Sequence, residues 1–442
     1  MNPQEPITRH SVLRQAWPLI LANCSVPLLG LVDTAVLGNL GTLVDLGAIA
    51  LGALIFSFVY WGFGFLRMGT TGFIAQAAGR GDGAEVRAVL IRSLLLALGI
   101  GVVITALQIP LGAIAFGMLS GGEQVEDVAR SYFEIRIWGA PATLGTFVLT
   151  GVLVGLGESR RLLLVQLFLN LLNILLDIYL AGHLQLGARG IAIGTLLAEW
   201  LAFIFALAIV ARLLLRSRTD SEQWFVIERL RDRSSMLAIL SANRDIMVRT
   251  VLLVFSFAWF TNQSAIYGNE VLAANHILLQ LISFSAFFLD GFAFVGESLV
   301  GQAIGARNLS FLDRAMRRTS EMAFATAVLL ALLVFAFGQQ MIDALTYLPE
   351  VRELAGGLLS FAAIYILLSF AAFQLDGIFI GATLTVQMRN ASVVSAGIFL
   401  ASWWLLSARY GVEGLWWSFI IYVIFRAVTL LLYFPQLRNS VR

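Results

Sequence analysis

The heptapeptide QAAGRGD at residues 76–82 returns as QAIGARN at residues 302–308, an offset of 226 residues. Two further pairs keep nearly the same spacing: GVLVG at 151–155 with GIFIG at 377–381, and LGARGIA at 186–192 with YGVEGLW at 410–416. Each pair alone is weak evidence for a repeat, because small residues are common in membrane helices. Their shared order and spacing predict two homologous halves.

The composition of the chain predicts that both halves lie in a membrane. Of its 442 residues, 59% are hydrophobic and only 13% are charged. The apolar runs are long enough to cross roughly 30 Å of hydrocarbon and have no alternating strand pattern. We predict an all-α integral membrane protein with twelve transmembrane helices in two pseudo-symmetric six-helix lobes. The runs are at about 14–38, 47–76, 88–117, 131–156, 161–184, 188–212, 246–268, 271–304, 319–346, 354–383, 389–408 and 412–436.

The arginines set the orientation, since every basic residue in the sequence is an arginine. With the N-terminus in the cytoplasm, 22 of the 29 arginines fall on that side, four in opposite loops and three within spans. The positive-inside rule therefore predicts cytoplasmic N- and C-termini. The predicted domains are an N-terminal lobe at 1–212, a cytoplasmic linker with an interfacial helix at 213–245, and a C-terminal lobe at 246–442.

Several classes of function are disfavoured by the same residues. A net charge of +2 does not imply a nucleic-acid partner. The three histidines are scattered, and no phosphate-loop or zinc-protease motif is present, so neither an enzyme nor a cofactor is predicted. An even number of spans per half gives both halves one orientation, which is the parallel-repeat design of transporters.

Asp33 interrupts the apolar stretch PLLGLVDTAVLG at 27–38 of span 1. On insertion scales an aspartate near a helix centre costs roughly 2.5 to 3.5 kcal/mol, so a functional role is expected. Pro18 and Pro27 lie on the same helix and each removes a backbone hydrogen bond. Span 1 is therefore the predicted gating helix.

A second group of polar residues in the N-terminal half lies in spans 5 and 6. The segment NLLNILLD places Asn170, Asn173 and Asp177 on one helical face, and Thr195 and Glu199 share a face of span 6. Burial and a neighbouring carboxylate both favour the protonated form of a carboxyl group, which suits a proton site. The same oxygens suit Na⁺, so proton and sodium both remain open.

The C-terminal half has its own acids. Asp290 and Glu297 in span 8 are seven residues apart and share a face, and Asp376 opens LDGIFIG in span 10. They could attract a cationic substrate or form a second proton relay, or one of them could pair with Arg426. Arg136 is expected at the membrane interface.

The motifs PLLGLVDTAVLG, LRMGTTGFIAQAAGRGD, NLLNILLD, LDGFAFVGESLVGQAIGAR and LDGIFIGAT together resemble the DinF branch of the multidrug and toxic compound extrusion (MATE) family. The resemblance covers essentially the whole chain. It implies two six-helix lobes, alternating access, and export of organic compounds driven by proton or sodium entry, by a monomer in the bacterial inner membrane.

The resemblance also assigns residues. It implies a cation or proton site at Asp33, Asn173, Asp177 and Thr195, where Na⁺ could bind, and a cavity tyrosine at Tyr132. In sodium-coupled branches an acid at the position of Asp376 has a partner acid in span 7, which this sequence lacks.

The predicted function is a proton-coupled, or alternatively sodium-coupled, antiporter that exports small cationic or amphipathic compounds. The alternative is a flippase for a lipid-linked precursor, which would require a basic central cavity. The charges counted within spans are mainly acidic, which favours cation or proton coupling. They are Asp33, Asp177, Glu199, Asp290, Glu297 and Asp376, against Arg67, Arg136 and Arg426.

Overall fold

The computed structural model describes residues 7–40, 42–118, 122–216 and 227–441, without the side chains of 28, 29, 31–40, 58 and 118. All regular secondary structure in these ranges is helical, which confirms the predicted all-α fold. The contacts group into two compact units, Leu21–Leu240 and Met1–Ile20 together with Ser241–Arg442. Residues 7–20 thus pack within the second unit, and the domain boundaries given above stay a prediction.

The helices up to the linker are interrupted at two places that matter for the site. A 3₁₀ turn at Ile137–Gly139 joins α6 to α7, and a π-helical turn at Ile178–His183 follows α8. The helices are α1 Arg9–Leu40, α2 Leu43–Gly62, α3 Phe65–Gly79, α4 Gly83–Ala106, α5 Gln108–Met118, α6 Glu123–Arg136, α7 Ala140–Gly155, α8 Ser159–Asp177, α9 Gly187–Arg216 and α10 Ile227–Leu230.

The helices after the linker are longer. They are α11 Arg233–Ile266, α12 Asn269–Gly305, α13 Leu309–Leu345, α14 Pro349–Gly381, α15 Thr385–Leu431 and α16 Phe434–Asn439. Helix α15 contains two predicted spans. Gly411, whose backbone angles are not helical (φ of 57°), separates them. Each of the twelve predicted spans therefore has a helical counterpart.

Nine helical stretches within the described residues are long and apolar enough to cross a membrane. Three predicted spans are not counted separately. Helix α1 includes side chains outside the described set, and α15 with α16 counts as one stretch. Helix α11 is less apolar, because Arg249, Asn262 and Gln263 interrupt it.

The internal repeat reappears as matching backbone turns within each unit. After α3, Gly81 adopts φ of 70° and Asp82 caps α4 by accepting from the Glu85 amide. After α12, Arg307 adopts φ of 49° and Asn308 caps α13 in the same way. Both turns have the same three backbone hydrogen bonds, shifted by 226 residues.

Close helix contacts repeat with the same shift. A Cβ on Gly151 or Gly155 of α7 would lie 2.5 and 2.8 Å from the carbonyl oxygens of Arg67 and Thr71 in α3. The equivalent contacts join α14 to α12, where a Cβ on Gly377 or Gly381 would lie 2.4 Å from the carbonyl oxygen of Ala293 or Glu297, respectively. Glycine is required at these positions because a side chain would push the helices apart.

The start of α1 packs against the second unit. Val12, Ala16 and Leu19 are almost fully buried, and a Cβ on Gly291 of α12 would lie 2.4 Å from Ile20. This packing places residues 7–20 in the second unit, whereas the rest of α1 belongs to the first unit.

The predicted linker lies partly outside the described residues, including Trp224 and Phe225 of the predicted interfacial helix. The described part, α10, is fixed to α4 by Arg229 Nη1, 2.6 Å from Asp82 Oδ2. Burial alone would raise the pKa of the Asp82 carboxyl, but the Arg229 hydrogen bond and the Glu85 amide hold it below its ordinary value.

Candidate functional site

The predicted face of α8 is buried against its neighbours. Asn170, Asn173 and Asp177 all lie on it, and Asn173 and Asp177 have no exposed surface. Asn173 Nδ2 donates to Thr195 Oγ1 on α9 at 3.1 Å, and Thr195 donates to the Ile191 carbonyl. The structure therefore brings Asn173, Asp177 and Thr195 together at the α8–α9 contact.

Small residues on α9 allow this close approach. A Cβ on Gly194 would lie 2.4 Å from Asp177 Oδ1, and one on Gly190 would lie 2.7 Å from the backbone nitrogen of Ala181. The carboxylate consequently lies directly against the α9 backbone. Asp177 is also the last residue of α8 before the π-helical turn. Such turns often mark functional positions in helices.

One acceptor in this cluster is open. Asn173 Oδ1 is buried and accepts no hydrogen bond from any described group. Leaving such an oxygen without a donor costs about 1–3 kcal/mol. Asn173 lies one turn before Asp177 on the same face, so a proton donor or a cation there would be stabilised by both side chains.

Helix α8 is also connected to α1. Asn170 Nδ2 donates to the Ser25 carbonyl at 3.1 Å, and Gln166 Nε2 donates to Asn170 Oδ1 at 3.1 Å. Helix α1 is continuous across Pro18 and Pro27. The side chain of Asp33 lies outside the described residues, so its place in the cluster stays a prediction.

Tyr132 belongs to a second polar cluster, which the sequence did not predict. Arg136 Nη2 lies 2.7 Å from Glu199 Oε1, and Arg136 Nη1 donates to the Tyr132 hydroxyl at 3.1 Å. The guanidinium also lies 4.6 Å from the centre of the Phe56 ring. Arg136 is expected at the membrane interface, and this stays a prediction; within the protein its side chain is largely buried between Glu199 and two aromatic rings.

Asp376 is held by two arginines in the C-terminal half. Arg426 Nη2 on α15 donates to Asp376 Oδ2 at 2.6 Å, and Arg249 on α11 contacts the same oxygen. All three residues are less than 10% exposed. The sequence had suggested Arg426 as a partner for one of the acids, and Arg249 was missed. Its only signal was its position inside the predicted span 7.

The other two acids of this half lie on α12. Glu297 is 1% exposed and Asp290 is half-buried, two turns earlier on the same helix. A Cβ on Gly381 would lie 2.4 Å from the Glu297 carbonyl oxygen, so Glu297 lies at one of the close approaches of α12 and α14. Asp376, by contrast, forms ion pairs with α11 and α15.

Metal-type clusters are absent from the part of the chain that the structure describes: no three His, Cys, Asp or Glu side chains come together there. The side chain of Asp33 is not among the described ones. The N-terminal cluster contains one described carboxylate with amide and hydroxyl oxygens, which could hold a proton or contribute to a site for a hard cation.

The chain is similar to known proteins over most of its length. The MatE family model matches residues 18–180 and 246–403. DNA damage-inducible protein F of Escherichia coli (strain K12) is 36% identical over 420 residues, 94% of this chain and 89% of that protein. The "Probable multidrug resistance protein NorM" of Thermotoga maritima is 25% identical over 440 residues, 97% of this chain and 92% of that protein.

A solved structure supports the fold independently. A multidrug resistance MATE family transporter of the MOP superfamily, in an outward-facing conformation, matches with a TM-score of 0.85. The match covers 98% of this chain and 96% of that one at 18% identity. It agrees with the predicted two-lobe, twelve-helix architecture.

Proposed function

We propose that this chain, which belongs to the MATE family of multi-pass membrane transporters, exports small organic compounds as a proton-coupled antiporter. The observation that supports this most directly is the buried N-terminal cluster. Asp177 and the open Asn173 oxygen lie on one face, with Thr195 opposite them. A buried carboxyl group that can gain and lose a proton is the simplest coupling device.

Proton rather than sodium coupling is favoured by the C-terminal half. Arg249 lies in the helix where the sodium-coupled pattern would place an acid, and it contacts Asp376 together with Arg426. Two guanidiniums beside one carboxylate repel a cation and occupy the oxygen that would bind it. This leaves the N-terminal cluster as the candidate coupling site.

The proposed cycle uses protonation to change the relative stability of two states. Protons load Asp33 and Asp177 from outside, which removes their mutual repulsion and the cost of burying their charge. The lobe then repacks and substrate is released, with α1 bending near Pro18 and Pro27. Loss of the protons to the cytoplasm resets the site. Coupling requires that each ligand stabilise one state more than the other.

The proposed substrates are cationic or amphipathic, and the protein is proposed to work as a monomer in the bacterial inner membrane with both termini in the cytoplasm. Tyr132, Asp290 and Glu297 are candidates for contact with substrate or for a second proton path. The Tyr132 hydroxyl accepts a hydrogen bond from Arg136, and Arg136 is in turn paired with Glu199.

A flippase for an anionic, lipid-linked compound is the second candidate, and Arg249 is the observation that favours it. The sequence count of charges had omitted this buried arginine, and Arg249 with Arg426 makes the centre of the C-terminal half more basic than predicted. Export of cationic dyes would argue for the antiporter, and transport of phospholipid-like anions for the flippase.

The first test uses inside-out vesicles from cells that lack other exporters. Ethidium is added after respiration has built a pH gradient, and dissipation of the gradient is followed with and without sodium. Wild type should dissipate the gradient without sodium, whereas Asp33→Asn and Asp177→Asn should not. Asp127→Asn, an exposed aspartate in the same half, is the matched control and should behave as wild type.

Two results would contradict the proposal. Proton-coupled export that survives both Asp33→Asn and Asp177→Asn would remove the N-terminal cluster as the coupling site. A response that requires sodium would make sodium the coupling ion, with Asp33, Asn173, Asp177 and Thr195 as candidate ligands.

A further inference from the structure

A cavity of about 700 Å³ lies at the start of α1, away from the polar clusters described above. Its walls come from the first residues of α1 and the first turns of α13. They are Ile7, Thr8, Arg9, His10, Arg314 and Arg318. Three of these six are arginines and none is an acid, so an anion is the ligand that this cavity would accept.

The charge around the cavity is only partly neutralised. Among the described residues here, Glu321 is the acid that pairs with these arginines, and it accepts from Arg9 at 3.0 Å, Arg317 at 2.9 Å and Arg318 at 2.8 Å. Arg314 forms no ion pair with any described residue. Among these described side chains, four guanidiniums and one carboxylate give a net charge of +3.

The end of α1 adds to the positive potential. Thr8 and Ser11 form reciprocal side-chain hydrogen bonds to each other's backbone amides, at 3.1 and 3.0 Å, which fixes the first turn. The N-terminus of a 32-residue helix carries a partial positive charge. This turn forms one wall of the cavity, so the helix and the arginines favour the same ligand.

An apolar strip begins at the cavity and continues along α1. The strip consists of Leu13 and Trp17. They follow Arg9 at intervals of four residues, so all three lie on one face of the helix. Leu13 is 44% exposed and Trp17 is 42% exposed, whereas Val12 and Ala16 are buried within the same unit. An exposed tryptophan beside arginines is typical of the membrane interface.

We propose that this cavity binds the phosphate of an anionic phospholipid, whose acyl chains lie along Leu13 and Trp17. The arginine distribution assigns it to the cytoplasmic leaflet, where anionic headgroups are recognised by basic pockets beside membrane helices. A free phosphate could use the same arginines but would gain nothing from the apolar strip. The strip is the reason for assigning the ligand to a lipid.

The test measures lipid binding to the full chain purified in neutral detergent. The midpoint of thermal unfolding is followed while phosphatidylglycerol, phosphatidylcholine or inorganic phosphate is added. Phosphatidylglycerol should raise the midpoint most. Arg314→Gln should weaken its apparent affinity roughly 5-fold, the equivalent of ~1 kcal/mol per basic residue near an anionic surface. Arg314 is exposed and pairs with no acid in the described part of the chain, so the variant is expected to fold.

Three further variants make the result specific. Arg314→Lys keeps the charge and should retain most of the binding, while Leu13→Gln should weaken phosphatidylglycerol without affecting phosphate. Arg231→Gln removes one exposed charge from the linker and should bind as wild type does. Retention of lipid is checked separately by native mass spectrometry.

Each contrary outcome overturns the proposal. Equal stabilisation by inorganic phosphate would indicate a site for a free anion. An equal loss in Arg231→Gln would indicate general attraction to a basic surface. Unchanged binding in Arg314→Gln would remove the cavity from consideration. None of these readouts depends on transport, so they are independent of the proposed export activity.

Discussion

Asp376 accepts both of its arginine contacts on one oxygen, Oδ2. Arg249 and Arg426 are almost fully buried, so their charges depend on this carboxylate for compensation. A buried ion pair is weak support for stability, but removing one partner is costly because the remaining charge is left buried. At the scale of single residues, the main effect of the Asp376 charge is therefore to stabilise the two buried arginines.

We therefore predict that Asp376→Asn lowers stability by about 3–5 kcal/mol, the range for breaking a buried ion pair. The two guanidiniums would remain without their carboxylate. The measurement is the thermal unfolding midpoint of the purified protein in detergent, compared with Asp313→Asn, whose pair with Arg438 is exposed and should matter little.

A second substitution separates charge from shape in this cluster. Adding Arg249→Gln to Asp376→Asn removes one of the two excess charges and should recover part of the lost stability. An additive loss in the double variant would show that repulsion between the guanidiniums is not the cause.

At the scale of helices, the α8–α9 contact depends on a missing side chain. Gly194 allows Asp177 to lie against the α9 backbone, with Asn173 and Thr195 hydrogen-bonded across the same contact. We predict that Gly194→Ala pushes the helices apart, at about 1–3 kcal/mol for overpacking. It should also reduce substrate-triggered proton movement in vesicles.

Gly99→Ala is the control for this prediction. It lies in α4 of the same unit, and a Cβ there meets nothing within 4 Å. It should be neutral or slightly stabilising, since alanine favours the helix. Normal coupling in Gly194→Ala would mean that the Asp177 environment tolerates movement of α9.

The two repeated turns differ in their capping residue, Asp82 or Asn308, so the contribution of the Asp82 charge to stability can be tested by varying the pH. Asp82→Asn keeps the cap, as Asn308 does in the other half, but loses the charge that pairs with Arg229. Because the folded pKa of Asp82 is lowered, its charge stabilises the fold above the unfolded pKa of about 3.9, and this contribution is lost as the pH falls through the folded pKa.

The expected effect of Asp82→Asn is therefore small and depends on pH. Near neutral pH the variant should be less stable by up to about 1 kcal/mol, since the pair is partly exposed. The difference in unfolding midpoint from wild type should shrink between pH 7 and pH 3. A constant difference over this range would contradict the assignment to the ion pair.

At the scale of the whole molecule, the testable feature is orientation. Cys24 is the single cysteine in the sequence, so one substitution gives a cysteine-free background. In that background, Ser235→Cys in the first turn of α11 should react with an impermeant thiol reagent only from the cytoplasm. Glu123→Cys at the start of α6 should react only from outside. Reversed labelling would overturn the orientation inferred from arginines.

The sequence by itself determined the helical membrane fold, its twelve spans and its repeat. The length of an apolar segment and the residues of a turn are local properties of the sequence. The repeat at a spacing of 226 residues is visible in two heptapeptides, and both form turns with the same hydrogen bonds. The shared face of Asn170, Asn173 and Asp177 also followed from helical spacing alone, and all three are buried. The family resemblance came from the same motifs.

The tertiary structure alone decided which charges meet. Arg249 and Asp376 are 127 residues apart, and Arg136 and Glu199 are 63 apart. Helical periodicity fixes the face on which a side chain lies but not the helix that it faces. Pairing between distant helices depends on close approaches at glycines such as Gly194 and Gly381, which only the packed fold defines.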